Sequence, residues 1–281
     1  MYYGMILVAV IMFGVQFFFN GKYEQKNGTG LVSSMVFIFG GSLAGLIVLL
    51  AINKFQIEFT LYTLIISIVT AVNMIACLVC SLKSLAIINL SLFSIFSMLG
   101  GMVLPFVAGL LFYGEDFTVN KAICLVLIAA ALCLTFEKSG NKKGYIYYAG
   151  IFIFNGMSGV LSKIFQESQF EKTSSAGYSI LSAAMTVLIT GIVLLFNLKK
   201  MPKFDKASVF YTVSGGVLNK VANYLLLIAL AHVPASTQYP MVTGGVMIVS
   251  TILGFFTAKK PGKKEIISVI LSFAGVIALV L

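Results

Sequence analysis

The chain has no tryptophan and no arginine, a single histidine, and only nine acidic residues among its 281. Each scarcity removes a class of chemistry. One histidine, His232, cannot build a His-Glu-x-x-His metal helix. No Gly-x-x-x-x-Gly-Lys-Ser/Thr loop is present to cradle a nucleotide triphosphate. No carboxylate falls deep in an apolar run, since Glu58, Glu115 and Glu137 all lie at run ends, so a membrane-embedded diacid protease has no source. A Ser-Lys dyad is the one enzyme-like arrangement left open. Charged residues make up 10% of the chain, too few to clothe a water-soluble fold of this length.

Hydrophobic residues fill that gap: they make up 59%, and the mean hydropathy is +1.04. A helix needs about 20 mostly apolar residues to cross the hydrocarbon core. Ten windows of suitable length follow one another, near Tyr3–Phe19, Leu31–Ile52, Phe59–Ser81, Ala86–Phe112, Val119–Phe136, Tyr145–Phe165, Ser174–Leu198, Ala207–Ala231, Ser236–Thr257 and Lys264–Leu281. The expectation is an all-α integral membrane protein with ten transmembrane helices and no soluble domain. Asn20-Gly21-Lys22-Tyr23-Glu24 reads as a polar turn closing the first span, without a cleavage site, so that span is expected to be retained.

The net charge of +10 comes from 19 lysines scattered over short loops, which suits lipid head groups and topology signals better than nucleic acid. A low-GC bacterial source would give the lysine-only bias, and a bacterial plasma membrane is the expected location. Cys77 and Cys80 form a Cys-x-x-Cys, but inside an apolar span, as are Cys124 and Cys133; reduced packing thiols are the expectation, with no metal and no cofactor.

The chain also repeats itself. Residues 44–54 align with 190–200, Asn73 with Asn219, Ser84-Leu85-Ala86 with Ala229-Leu230-Ala231, and Gly100-Gly101 with Gly244-Gly245. This divides the chain into two five-span units, 1–138 and 139–281. Five is odd, so the second copy enters the membrane from the opposite side, giving an inverted-topology repeat of the kind that places a substrate site near the midplane between the halves. Most lysines fall on the odd-numbered loops, which by the positive-inside rule would make those loops cytoplasmic and put both termini outside.

With this layout, Leu110-Leu111-Phe112-Tyr113-Gly114-Glu115 and Phe273-Ala274-Gly275-Val276-Ile277 resemble segments of the drug/metabolite transporter superfamily, in its ten-span EamA-like branch. The resemblance implies a secondary transporter with both termini cytoplasmic, opposite to the lysine pattern, and gives Glu115 a structural or gating role. The chain departs from the family pattern at Ala258-Lys259, where a second Gly-Glu is usual, and at Met102 and Val246, where proline is usual.

An ionisable group in mid-span is a functional candidate by default. Lys220 is the only one, in the eighth span, and Asn219, Asn223 and Tyr224 share its polar stripe. Asn73 on the third span, Asn155 and Ser158 on the sixth, Gln16 on the first and Tyr239 on the ninth complete the expected substrate-binding set. Ser91, Ser94 and Ser97 step along the fourth span. His232, beside Pro234 at a span end, is read as interfacial. The four Gly-Gly pairs are expected to serve close helix packing.

A mid-membrane ammonium favours substrates with a carboxylate or phosphate, including zwitterionic amino acids, and repels cations. The expected function is alternating-access transport of a small anionic or zwitterionic metabolite, with coupled protons or a counter-substrate as candidate partners and a monomer or homodimer as the assembly. The alternative is export of lipophilic or cationic compounds of multidrug type; a membrane-embedded enzyme ranks far behind.

Overall fold

A computed structural model describes residues 1–88, 90–114, 118–135, 142–200, 205–257 and 260–280. The described secondary structure is helical throughout: α1 (Tyr2–Asn27), α2 (Leu31–Ile52), α3 (Leu61–Ile87), α4 (Leu90–Phe112), α5 (Val119–Thr135), α6 (Lys142–Glu167), α7 (Ser175–Leu195), α8 (Lys206–Leu230), α9 (Ala235–Gly254) and α10 (Lys263–Val280), with a 3₁₀ turn at Leu198–Lys200. Each of the ten apolar windows corresponds to one helix. Seven of the described helices are long and apolar enough to cross a membrane: α1, α2, α3, α4, α6, α7 and α8. The protein is a multi-pass, all-helical membrane protein.

Helix starts follow local chemistry. Thr60, Ser174 and Asp205 each accept a hydrogen bond from the backbone N–H three residues on, at 3.2, 3.2 and 3.1 Å, and so cap α3, α7 and α8. One expectation fails here. The polar segment Asn20–Glu24 is not a turn; α1 continues to Asn27. Tyr23 is fully buried against Phe37, and its hydroxyl donates to the Ser33 carbonyl at 2.9 Å. Tertiary packing of that one aromatic residue outweighs the local polar composition.

The helices pair in a definite scheme. α1 packs on α8 and α9, α4 on α6 and α9, α2 on α7 and α8, α3 on α6 and α7, and α5 on α10. Exchanging α1–α5 for α6–α10 leaves this scheme unchanged: α1·α8 becomes α6·α3, α4·α6 becomes α9·α1, and α2·α8 becomes α7·α3. The pairs α2·α7, α4·α9 and α5·α10 map onto themselves.

The largest apolar cluster joins α1, α4 and α9 through residues such as Ile6, Phe13, Phe93, Met102, Val246 and Met247. Outward faces carry exposed Leu7, Ile11, Ile47, Ile65, Val72 and Ile192, an apolar exterior suited to lipid.

Glycines set the closest helix approaches. A Cβ on Gly216 would stand 2.1 Å from the Gly41 Cα, so α8 crosses α2 backbone to backbone. At the α4·α6 crossing, a Cβ on Gly100 would stand 2.0 Å from the Phe152 carbonyl oxygen. The described thiols of Cys77, Cys80 and Cys124 are free.

Candidate functional site

Six helices, α1, α3, α4, α6, α8 and α9, surround a central cavity of about 100 Å³. Phe13, Phe17, Met74, Met98, Leu226 and Val242 supply its apolar wall. Amides come from Gln16, Asn155, Asn219, Asn223 and Gln238, and hydroxyls from Ser81, Ser97, Ser158, Ser162, Tyr239 and Thr243. No charged side chain is among the described lining residues.

Of the nine residues expected to bind substrate, six line this cavity: Gln16, Asn155, Ser158, Asn219, Asn223 and Tyr239. Most are also tied into the helix frame. Asn155 donates to the Ser97 carbonyl at 2.6 Å, Asn223 to the Asn219 carbonyl at 2.8 Å, and the Tyr239 hydroxyl to the Gly159 carbonyl at 2.9 Å. Asn219 reaches the Gln16 oxygen at 3.4 Å.

Three residues are placed otherwise. Asn73 is outside the lining; it donates to the Phe154 carbonyl at 2.9 Å and to Ser158 at 2.8 Å, joining α3 to α6. Tyr224 packs against Leu49, Ile180 and Ala183, between α8 and the α2·α7 pair. A step of about 100° around the helix from the cavity-lining Asn223 takes it off the stripe that its spacing suggested.

Lys220 is the third. It is more than nine-tenths buried but does not line the central cavity. It stands between two smaller spaces. One, of about 50 Å³, is walled also by Thr70, Tyr178 and Ser182, and it shares Met74, Ser158, Ser162, Asn223 and Leu227 with the central cavity, which makes it a side pouch of that cavity. The other, of about 20 Å³, lies between α1, α2 and α8, with Leu78 of α3 on its wall. Among the described residues Lys220 has no hydrogen-bond or ion-pair partner. Gly45 of α2 makes room for its stem, since a Cβ there would stand 2.5 Å from the Lys220 Cγ.

Residues 142–281, the second half of the chain, match the EamA-like transporter family. The chain belongs to that family. A crystal structure of a protein, 12% identical, superposes over 98% of this chain and 98% of its own with a TM-score of 0.67, a likeness of fold alone. No curated protein matches the sequence. As an EamA-like protein, the chain falls in a family of membrane transporters of small molecules.

Helix ends of this EamA-like transporter carry most of its remaining described polar contacts. Lys26 at the end of α1 pairs with Asp205, the cap of α8, and beside it Asn27 donates to Ser208 at 3.0 Å. The Lys26 ammonium, and after it the Ser208 hydroxyl, hold the Asp205 carboxyl well below the usual carboxylate range. At the start of α7, Glu58 accepts from the Ser174 N–H and hydroxyl, both at 2.6 Å, and Thr63 accepts from the Thr173 N–H at 3.1 Å. Lys163, one turn before the end of α6, is buried with its ammonium 5.1 Å from the Tyr113 ring centre. His232 is exposed and stacks on Tyr2, ring centres 4.0 Å apart. Glu115, Ala258 and Lys259 of the family segments lie outside the described residues, as do the side chains of Ser91, Ser94 and Cys133.

Sequence reading missed Thr243 and Ser81 as cavity residues. Thr243 donates to the Met98 carbonyl at 3.1 Å, across α9·α4. Single hydroxyls in apolar helices carry no signal that separates cavity from packing.

Proposed function

We propose that the protein is a secondary transporter that crosses the bilayer ten times as two inverted five-helix units, 1–138 and 139–281, and moves a small zwitterionic or anionic metabolite by alternating access. The helix pairings that survive exchange of α1–α5 for α6–α10 support the inverted repeat. A bacterial plasma membrane is the proposed location, and both termini share one side of it.

The observation that carries the substrate class is the distribution of charge. The central cavity is lined by amides, hydroxyls and apolar groups, and one lysine, Lys220, lines the adjoining pouch. A substrate body fits the neutral cavity while its carboxylate reaches into the pouch. Gln238 lines the same cavity with a buried side-chain oxygen that has no partner, an acceptor free for a substrate amine. Amino acids and small hydroxy or keto acids have this shape. Organic cations find no carboxylate among the described lining residues and are repelled by Lys220.

The test is counterflow in proteoliposomes with a panel of amino acids, organic acids, lipophilic cations and neutral drugs, comparing wild type with Lys220→Gln. Uptake confined to carboxylate-bearing solutes, and lost in the variant, is the expected result. Uptake of cations alone, unchanged in the variant, would instead establish a multidrug-type exporter.

A further inference from the structure

The small space on the other side of Lys220 is a site in its own right. It is bounded by α1, α2 and α8, with Leu78 of α3 beside them, and is about 20 Å³ in volume, room for one water-sized particle. Gln16, Leu78 and Asn219 face both it and the central cavity, so it is reached past them. Asn20, Ser42 and Lys220 line it and take no part in the central cavity.

Two of those groups are buried without partners. Asn20 is 1% exposed, and neither its side-chain oxygen nor its nitrogen has a hydrogen bond. Lys220 is 8% exposed, with no hydrogen-bond or ion-pair partner among the described residues. Unsatisfied buried amides are rare in folded proteins, and an unpaired buried charge is costlier still. A water molecule would serve the amide but leave the ammonium without a counter-charge.

We infer that this space binds a single monatomic anion of the size of chloride, held by the Lys220 ammonium together with the Asn20 amide N–H groups and the Ser42 hydroxyl. The donors decide the sign: an ammonium offers only hydrogen-bond donors and repels cations. This space is the smallest of the three that adjoin one another here, which favours a compact monatomic anion over bulkier polyatomic ones. Gly215 leaves the Asn20 side of the space clear, since a Cβ there would stand 3.4 Å from the Asn20 Oδ1.

Lys220 faces both this space and the substrate pouch, so the halide and a substrate carboxylate compete for one ammonium. The halide neutralises Lys220 in the empty carrier and is displaced as substrate binds. This competition rests on the substrate reading above; the halide site itself does not.

The experiment is thermal unfolding of the purified full-length protein, without substrate, titrated with chloride or bromide against gluconate at constant ionic strength. A saturable rise in the midpoint is expected, about 3 °C at a tenfold excess over Kd. Sulfate should give no saturable rise. The halide response should vanish in Lys220→Gln and in Asn20→Leu; if the latter does not fold, Ser42→Ala should raise the half-saturating concentration. A wild type indifferent to halide, or a response undiminished in the variants, overturns the site. If chloride stabilises the protein but carboxylate-bearing solutes neither stabilise it nor compete with chloride, the substrate reading fails and the halide site stands. Stabilisation by carboxylates without any halide response overturns the halide site and leaves the substrate reading standing.

Discussion

The pairs Asn73-Met74 on α3 and Asn219-Lys220 on α8 occupy matching places in the two halves and have diverged in what they do. Asn73 reaches α6 at Ser158 and the Phe154 carbonyl, and Asn219 reaches α1 at Gln16. These are corresponding helix pairs, and Gln16 falls near Ser158 when the halves are aligned. Yet Asn73 makes two short bonds and is withdrawn from the cavity, while Asn219 makes one long bond at 3.4 Å and lines it. Met74 lines the central cavity as an apolar wall; Lys220 stands behind it. At α3 the position is a structural joint, and at α8 it is a looser contact next to a buried lysine. Near-symmetric packing thus leaves room for one asymmetric site.

The largest test of the comparison concerns packing. Gly100 in α4 and Gly245 in α9 belong to corresponding pairs, α4·α6 and α9·α1. An added methyl at Gly100 meets the Phe152 backbone at 2.0 Å, whereas at Gly245 it meets the Val10 side-chain tip at 2.7 Å. Backbone cannot step aside as a side chain can, so Gly100→Ala should destabilise by about 3 kcal/mol and Gly245→Ala by about 1 kcal/mol. Chemical unfolding in mixed micelles checks this; equal losses would show that the two crossings are equivalent after all.

Next in size is Lys220→Met, which gives α8 the residue that α3 carries. Carboxylate-bearing substrates should lose about tenfold in apparent affinity, or about 1.4 kcal/mol. The fold should persist, because an unpaired buried cation is replaced by an apolar side chain of similar length. Transport kinetics and an unfolding curve on the same preparation separate the two effects.

The asparagines come third. Asn73→Ala should lower stability by about 1 kcal/mol, within the range for interhelical hydrogen bonds in bilayers. Asn219→Ala should cost less stability but alter transport. A larger unfolding effect at Asn219 would invert the assignment of joint and site.

The smallest effect is at the helix ends. Asp205 has its carboxyl held below the ordinary value of 3.8 by Lys26 and Ser208. Its folded-state value is depressed, so its contribution is complete above the unfolded value and is lost as pH falls below about 4 through the folded one. The pair is exposed and screened, and only a slight steepening of acid destabilisation is expected, absent in Asp205→Asn and reduced by salt. A large acid-sensitive change would mean that the Lys26–Asp205 contact bears more of the α1·α8 joint than its exposure implies.

The ten apolar windows and the presence of glycine pairs inside them were legible without coordinates, because hydropathy over a span and the lack of a side chain are local properties. Helix ends were legible only in part: α1 runs past its polar segment because Tyr23 finds a buried partner in Phe37. Azimuth was the least legible. Spacing of three and four marks a face, but the width of that face, and which neighbour covers each part of it, depend on crossing geometry. Tyr224 turned to α2·α7 and Lys220 into the space beside Gly45 for that reason, while Thr243 and Ser81 entered the cavity without a distinguishing pattern.

The sequence by itself determined that this is a helical membrane protein with a lysine, Lys220, in mid-span, because the length and apolarity of a span leave the backbone no alternative to a helix in lipid. The tertiary structure alone decided which side chains share a cavity and which are sealed behind it. Those choices follow from how closely the helices approach at Gly41, Gly45, Gly100 and Gly216, a quantity set between helices and written in none of them singly.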